Sequence, residues 1–157
     1  ELRADAYPKS RLDFSALTEE ICSDMALIRE KGITLQKEIQ KGIFVMGNEE
    51  LLTRLLINLI GNAYRYGREN GHIHVVLERG KEGAVLRVQD DGIGIAKQDQ
   101  QKIFRRFYQA EPSRAGMGSG LGLCMVWEIA RLHGGQIHVE SELGVGSVFE
   151  FSMPEEG

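Results

Sequence analysis

Cysteine and proline are scarce, at 2 and 3 residues in a chain of 157. Cys22 and Cys124 lie far apart and match neither a zinc-ligand spacing nor a CxxC pair, so neither a zinc module nor a disulfide scaffold is indicated. Two reduced, mostly buried thiols are expected, which favours a cytoplasmic compartment. No apolar run approaches the ~20 residues of a membrane span. There is no signal peptide and the first residue is Glu1, so the chain reads as a piece of a longer protein whose membrane anchor, if it has one, lies elsewhere. A basic excess is also missing: 19 Lys and Arg face 23 Asp and Glu, for a net charge of −4. That balance argues against nucleic acid and anionic membrane as partners. Aromatics make up 7%, against 42% hydrophobic and 27% charged residues, as in an ordinary soluble domain. A chain of this length buries about two-thirds of its unfolded surface and needs no staple.

Glycine, in contrast, is abundant. The chain has 19, well above the usual ~7%, and without prolines beside them they serve backbone geometry rather than a linker. Residues 1–11 are polar, contain Pro8 and read as a tail or linker remnant, leaving 12–157 as one domain. Leu17, Ile21, Met25 and Ile28 recur at helical spacing, with Ser15 as the expected cap and Gly32 as the end. Ile33–Ile39 alternates as a strand does, and a turn at Lys41-Gly42 leads to a second apolar run, Ile43–Met46. Asn48, followed by Glu49 and Glu50, starts a helix that runs to Tyr66 and stops at Gly67. From His72 the period becomes two, through Ile73, Val75 and Leu77, a turn at 80–83, and Ala84, Leu86 and Val88. A short helical stretch is expected at 98–104, then an irregular segment at 108–117, another helix after Gly122 ending near Gly134-Gly135, and two last strands. Each later strand has one apolar and one mixed face. This predicts an α/β two-layer sandwich, a single sheet covered on one face by helices.

Three constellations carry chemistry. Asp90 shares the parity of Ala84, Leu86 and Val88, which puts a carboxylate on the covered face, where burial costs several kcal/mol without partners. Gly92 and Gly94 follow and allow close approach of a backbone or a flat ligand. Such a carboxylate can accept the amino group of adenine; an ordinary Asp-Gly turn is the plain alternative. At about 100° per residue, Asn58, Asn62 and Arg65 fall within about 60° of one another on the helix. Glu, Gln or Lys would be commoner on a solvated flank. Amide oxygens and an arginine suit hydrated magnesium and a phosphate tail, although a polar flank with no ligand is equally formed this way. Finally, Gly116, Gly118, Gly120 and Gly122 alternate into a helix N-terminus and expose backbone N–H groups, as a phosphate cradle does. No Gly-Lys-Ser/Thr follows, so it is not a Walker A loop; a flexible hinge is the other reading.

In order and spacing, these segments resemble the catalytic and ATP-binding domain of sensor histidine kinases, within the wider GHKL group of the Bergerat fold. Asn58-Leu59-Ile60-Gly61-Asn62-Ala63-Tyr64-Arg65-Tyr66 resembles the N box, Asp90-Asp91-Gly92-Ile93-Gly94-Ile95 the G1 box, Ile103-Phe104-Arg105-Arg106-Phe107-Tyr108 the F box, and Gly118-Ser119-Gly120-Leu121-Gly122-Leu123 the G2 box. The resemblance covers about residues 12–154 and implies a mixed, mostly antiparallel sheet. It implies ATP and Mg2+ as ligands, with Asn62 on the metal beside Asn58 and Arg65 near the phosphates, and it implies catalytic roles for these three. Tyr66 would pack on adenine, Asp90 would hold its amino group, and Gly92, Gly94, Ile95 and Phe107 would line the pocket. Gly118, Gly120, Leu121 and Gly122 would line the triphosphate, under a lid over residues 95–117. Asp91 stands where relatives often have asparagine, and its parity points it away from the pocket.

The same resemblance separates two classes. Hydrolases of the group carry a glutamate, the base that activates water, four residues before the magnesium asparagine. Here that position is Asn58, an amide without usable basicity. A phosphotransferase is therefore the expectation, ahead of an ATPase or a nucleotide-binding module without catalysis. His72, His74, His133 and His138 match no phosphoacceptor setting and read as surface or capping histidines. The implied partners are a dimerisation and histidine-phosphotransfer domain outside this chain and a response regulator. The isolated domain is expected to be monomeric and its parent homodimeric.

Overall fold

In the computed structural model, residues 2–105 and 122–157 are described. The elements are β1 (Ser10–Asp13), α1 (Phe14–Met25), β2 (Thr34–Ile39), β3 (Phe44–Gly47), α2 (Glu49–Tyr66), β4 (His72–Gly80), β5 (Gly83–Asp90), α3 (Gly122–Leu132), β6 (Gln136–Glu142) and β7 (Gly146–Met153). Five strands form one mixed sheet in the order β2-β4-β5-β7-β6. The β2–β4 pair is parallel and the other pairs are antiparallel. One face of the sheet is apolar: Ile73, Val75 and Leu77 of β4, Ala84, Leu86 and Val88 of β5, and Phe149, Phe151 and Met153 of β7 are all buried. The buried stripes of the helices complete this core, among them Leu51, Leu52, Leu55, Leu56, Leu59 and Ile60 of α2. Phe14 of α1 meets Phe151 edge-on, with ring centroids 6.3 Å apart. The expected two-layer sandwich is therefore present.

Four local expectations are corrected. The run Ile43–Met46 does not join the main sheet: β3 pairs with β1 in a separate two-stranded sheet. This takes Ser10 and Arg11, read as tail, into a strand. Asp13 rather than Ser15 caps α1, its carboxylate accepting from the Ala16 N–H at 2.9 Å. The Ser15 hydroxyl is buried, where it donates to the Gln40 carbonyl and accepts from the Ile43 N–H. Helix α1 also ends at Met25, well before Gly32. Around residue 98 there is only a 3-10 turn, Lys97–Asp99, followed by further turns.

Helix α2 begins and ends where its caps predict. The Asn48 side chain accepts from the Leu51 N–H, and the helix stops before Gly67. Its N-terminus is tied to the end of α3 by His133, which is 4% exposed and, of the surface and capping roles expected for the histidines, takes a capping one. The His133 Nδ1 lies 2.8 Å from the Ile129 carbonyl and its Nε2 accepts the Asn48 N–H at 3.0 Å. Nδ1 must therefore carry the ring proton, and burial holds the pKa of His133 below its ordinary value. Both cysteines are free; Cys22 is buried and its thiol is pushed up to about 11 by burial, while Cys124 is half-buried. No helix among the described residues is long and apolar enough to cross a membrane.

Candidate nucleotide site

The apolar stripe of α2 is buried against the core, which leaves Asn58, Asn62, Arg65 and Tyr66 half-buried along its flank. Gly122 opens α3 opposite this flank. A Cβ placed on Gly122 would stand 3.5 Å from the Asn58 Oδ1, so the two elements meet at the asparagine. The last residue of the glycine-rich run thus lies beside the first residue of the polar stripe.

A second cluster lies at the C-terminal end of α2, about 12 Å further along its axis. Asp90 is the last residue of β5 and is only 7% exposed. Its Oδ1 accepts from the Gly92 N–H at 2.9 Å. Burial raises its pKa to about 6, outweighing the Gly92 and Ser147 backbone N–H groups that favour the charged form. The carboxylate is thus held where its charge is poorly solvated, and a donor brought to it would relieve that cost. Asp91, its neighbour, faces the other way. It accepts from the His72 backbone N–H at 2.8 Å and lies 2.9 Å from the His72 Nδ1. Partial burial alone would raise its pKa, but the two His72 hydrogen bonds outweigh it and the net shift is downward. Asp91 thus points away as its parity predicts, but it anchors the start of β4.

The loop after Asp90 is pressed onto its neighbours. A Cβ on Gly92 would overlap the Tyr66 carbonyl oxygen. Gly94 has φ +72°, and a Cβ there would overlap the Glu142 carbonyl oxygen. The Ile93 N–H donates to the Tyr66 carbonyl at 3.1 Å, and the Gly144 N–H to the Ile93 carbonyl at 2.7 Å. The Ile95 N–H donates to the Ser141 Oγ at 2.7 Å. Ile103 is buried, and Phe104 packs edge-on against Phe149 at 6.3 Å, so the beginning of the expected lid is anchored on β7. Of the expected site residues, Phe107, Gly118, Gly120 and Leu121 lie outside the described residues, as does the whole irregular segment at 108–117. The others fall into the two clusters: Asn58 with Gly122, and Tyr66 with Asp90, Gly92, Gly94 and Ile95, while Asn62 and Arg65 lie between them on α2. Among the described residues, no group of three or more His, Cys, Asp or Glu is placed to hold a metal ion.

The family described as "Histidine kinase-, DNA gyrase B-, and HSP90-like ATPase" matches residues 47–157, a span that contains both clusters. The chain belongs to this family. It is 40% identical over 143 residues to the sensor histidine kinase RppB of a Synechocystis strain, covering 89% of this chain and 31% of that protein. It is 37% identical over 145 residues to the sensor protein kinase PmrB of Pseudomonas aeruginosa, covering 91% and 30%. The chain therefore spans about a third of the length of these relatives. Among solved structures, the nucleotide-free catalytic domain of the histidine kinase ThkA superposes with a TM-score of 0.79 at 26% identity, covering 94% of this chain and 95% of that one. Full-length ShkA in complex with AMPPNP superposes with a TM-score of 0.81 at 28% identity, covering 94% of this chain and 31% of that one. The α/β architecture here is that of histidine kinase catalytic domains.

Several residues that shape this family site were not singled out in the sequence. Ser147 shares the parity of Phe149, Phe151 and Met153, and its hydroxyl is buried 2.7 Å from the Ser141 Oγ. A polar residue closing an apolar face is the same kind of signal as Asp90, so Ser147 was readable. The tie of Ser141 to Ile95 and that of Lys31 to the end of α2 carried no such signal, because they join residues 46 and 34 positions apart.

Proposed function

We propose that this chain is the ATP-binding catalytic domain of a sensor histidine kinase, donating the ATP γ-phosphate to a histidine on a dimerisation domain outside it. The observation that carries the reading is Asn58 facing the first turn of α3. The group's hydrolases place a general base at that position, whereas a neutral amide positions a phosphate without activating water. The nucleotide-binding unit is residues 12–157, joined by Ser10 and Arg11 through β1.

Asp90 accepts the adenine amino group and Tyr66 covers the ring, with Gly92, Gly94, Ile95 and Phe107 completing the pocket wall. Arg65 faces the phosphates, and Gly118, Gly120, Leu121 and Gly122 present backbone N–H groups to them. The donor set fits magnesium: the Asn62 amide oxygen, with Asn58 beside it, offers a hard, neutral ligand to an ion that keeps waters and phosphate oxygens as its other ligands. Bound there, the ion would neutralise phosphate charge. The partners are the histidine domain of the same kinase and a response regulator, in a homodimeric parent, with this domain in the cytoplasm.

Calorimetry with ATP, ADP, AMP and GTP, with and without EDTA, tests the binding. The expected result is magnesium-dependent affinity for ATP and ADP, weak AMP binding and poor GTP binding, because guanine presents a carbonyl to Asp90. Equal affinity for AMP and ATP without a magnesium effect would sink the phosphate assignment. The chain alone should release little phosphate from labelled ATP. Mixed with the separately made histidine domain, it should produce an acid-labile, base-stable mark on that domain, slowly because tethering is lost.

A further inference from the structure

The side chain of Lys31, in the turn Glu30–Gly32 between α1 and β2, reaches the end of the helix that carries the polar stripe. The Lys31 Nζ donates to the carbonyls of Tyr64 at 3.1 Å, Arg65 at 2.6 Å and Gly67 at 3.2 Å. An ammonium has three donors, and all three are used. The last carbonyls of a helix have no partner within it, so some outside group must serve them. Here the ammonium takes that of Arg65 and shares that of Tyr64 with the Gly67 N–H, and the carbonyl between Arg65 and Gly67, that of Tyr66, is left to the Ile93 N–H of the loop after Asp90. The end of α2 is thus shared between a distant lysine and the loop that shapes the candidate adenine pocket.

The backbone around Lys31 is arranged for this reach. Lys31 has φ +62°, in the left-handed region that side-chain-bearing residues rarely adopt. Its carbonyl accepts the Asn70 N–H at 2.6 Å, and Asn70, at φ +57°, follows the end of α2 by four residues. Two left-handed residues, an unfavourable one at Lys31 and a tolerated one at Asn70, are therefore joined by a hydrogen bond and hold the lysine in place. Strain of this kind persists only where the surroundings impose it. The Tyr64 hydroxyl adds a further tie, donating to the Met25 carbonyl at the end of α1.

The geometry points to Lys31 as a positioning residue for nucleotide binding: its ammonium fixes the last turn of α2, and through it Arg65, Tyr66 and the Gly92–Ile95 loop, in the arrangement the nucleotide meets. This rests on the nucleotide reading above. Lys31 touches no nucleotide itself; it sets the register between two segments that do. A lysine that only stabilised the fold would leave affinity unchanged in the folded protein, and this difference is measurable.

The test uses Lys31→Met, which keeps the stem and removes the donors, alongside Lys31→Arg and the exposed control Lys41→Met. All are studied at a temperature where circular dichroism shows them folded. Lys31→Met should bind magnesium-ADP about tenfold more weakly than the wild type. Lys31→Arg should recover most of that loss, and Lys41→Met should show none. Amide exchange in Lys31→Met should accelerate at Ile93 while the central-sheet amides of Val75 and Leu86 keep their rates. Wild-type affinity in Lys31→Met, or the same acceleration at Ile93, Val75 and Leu86, would overturn the role given to Lys31. Should Lys31→Met not fold, Lys31→Gln is judged by the same criteria. Absence of nucleotide binding in the wild type overturns the nucleotide reading itself, whereas binding that survives in Lys31→Met overturns only the positioning role.

Discussion

The two faces of the five-stranded sheet meet at the adjacent carboxylates Asp90 and Asp91, and physical chemistry treats them in opposite ways. On the helix-covered face, Asp90 closes a row of buried side chains, and desolvation pushes its pKa up. On the open face the charged groups answer one another: Arg87 pairs with Glu78 and Glu150, and His74 with Glu38. Asp91 reaches His72, and its pKa moves down. Charge on the open face is solvated and paired. Charge on the covered face is costly, and a protein keeps such a group where a ligand can use it. The candidate site thus lies where the apolar face ends.

The largest test of this contrast is Phe151→Ala, which empties the covered face beneath Phe14. It should cost about 3–5 kcal/mol in denaturant unfolding. A loss below about 1 kcal/mol would mean that the covered face contributes no more than a surface ion pair. Next comes Asp90→Asn, which should weaken ATP binding by about 2–3 kcal/mol, because an amide presents its own donors toward a donor. The same change should stabilise the unliganded chain at neutral pH. The folded state holds the Asp90 proton to about pH 6 and the unfolded chain releases it near 3.8, so the stability from this group is complete below 3.8 and lost as pH rises through 6. At about 1.4 kcal/mol per unit, the relief approaches 3 kcal/mol. Unfolding curves from pH 4 to 8 should show this dependence in the wild type and lack it in Asp90→Asn; a parallel pH dependence in both would refute the assignment.

On the open face the effects should be small. Arg87→Met removes pairs whose members stay partly solvated and should cost at most about 1 kcal/mol, less at high salt. A loss matching that of Phe151→Ala would erase the difference between the faces. Asp91→Asn should change stability least and leave nucleotide affinity unaltered. Its lowered pKa makes its contribution present above the ordinary carboxylate range and lost as pH falls through the folded value, so any effect should vanish in acid. Calorimetry beside Asp90→Asn gives the comparison directly, and an equal loss of ATP binding in both variants would contradict the opposite facing of the two residues.

Much of this contrast was legible beforehand. Alternation along β5 placed Asp90 on the buried face and Asp91 on the other, because strand side chains alternate whatever the strand pairs with. The caps at Asn48 and Gly67 bounded α2 for an equally local reason. The sequence misled where a hydroxyl or an apolar run had two possible partners. Ser15 has the chemistry of an N-cap, yet its hydroxyl is spent on Gln40 and Ile43, and Asp13 takes the cap. The run at Ile43–Met46 is strand-like, but its alternation carries no record that its partner is β1.

The sequence by itself determined the bounds of α2, the strand parity, the glycine-rich spacing and the polar stripe of α2, since these follow from side-chain chemistry at spacings of one to four residues. Only the tertiary structure decided that Gly122 meets Asn58, that His133 serves the start of α2, and that Lys31 serves its end. Those contacts join residues 33 to 85 positions apart. Backbone donors and acceptors look alike at every position, so which distant side chain satisfies them is settled only when the sheet and its helices close around one core.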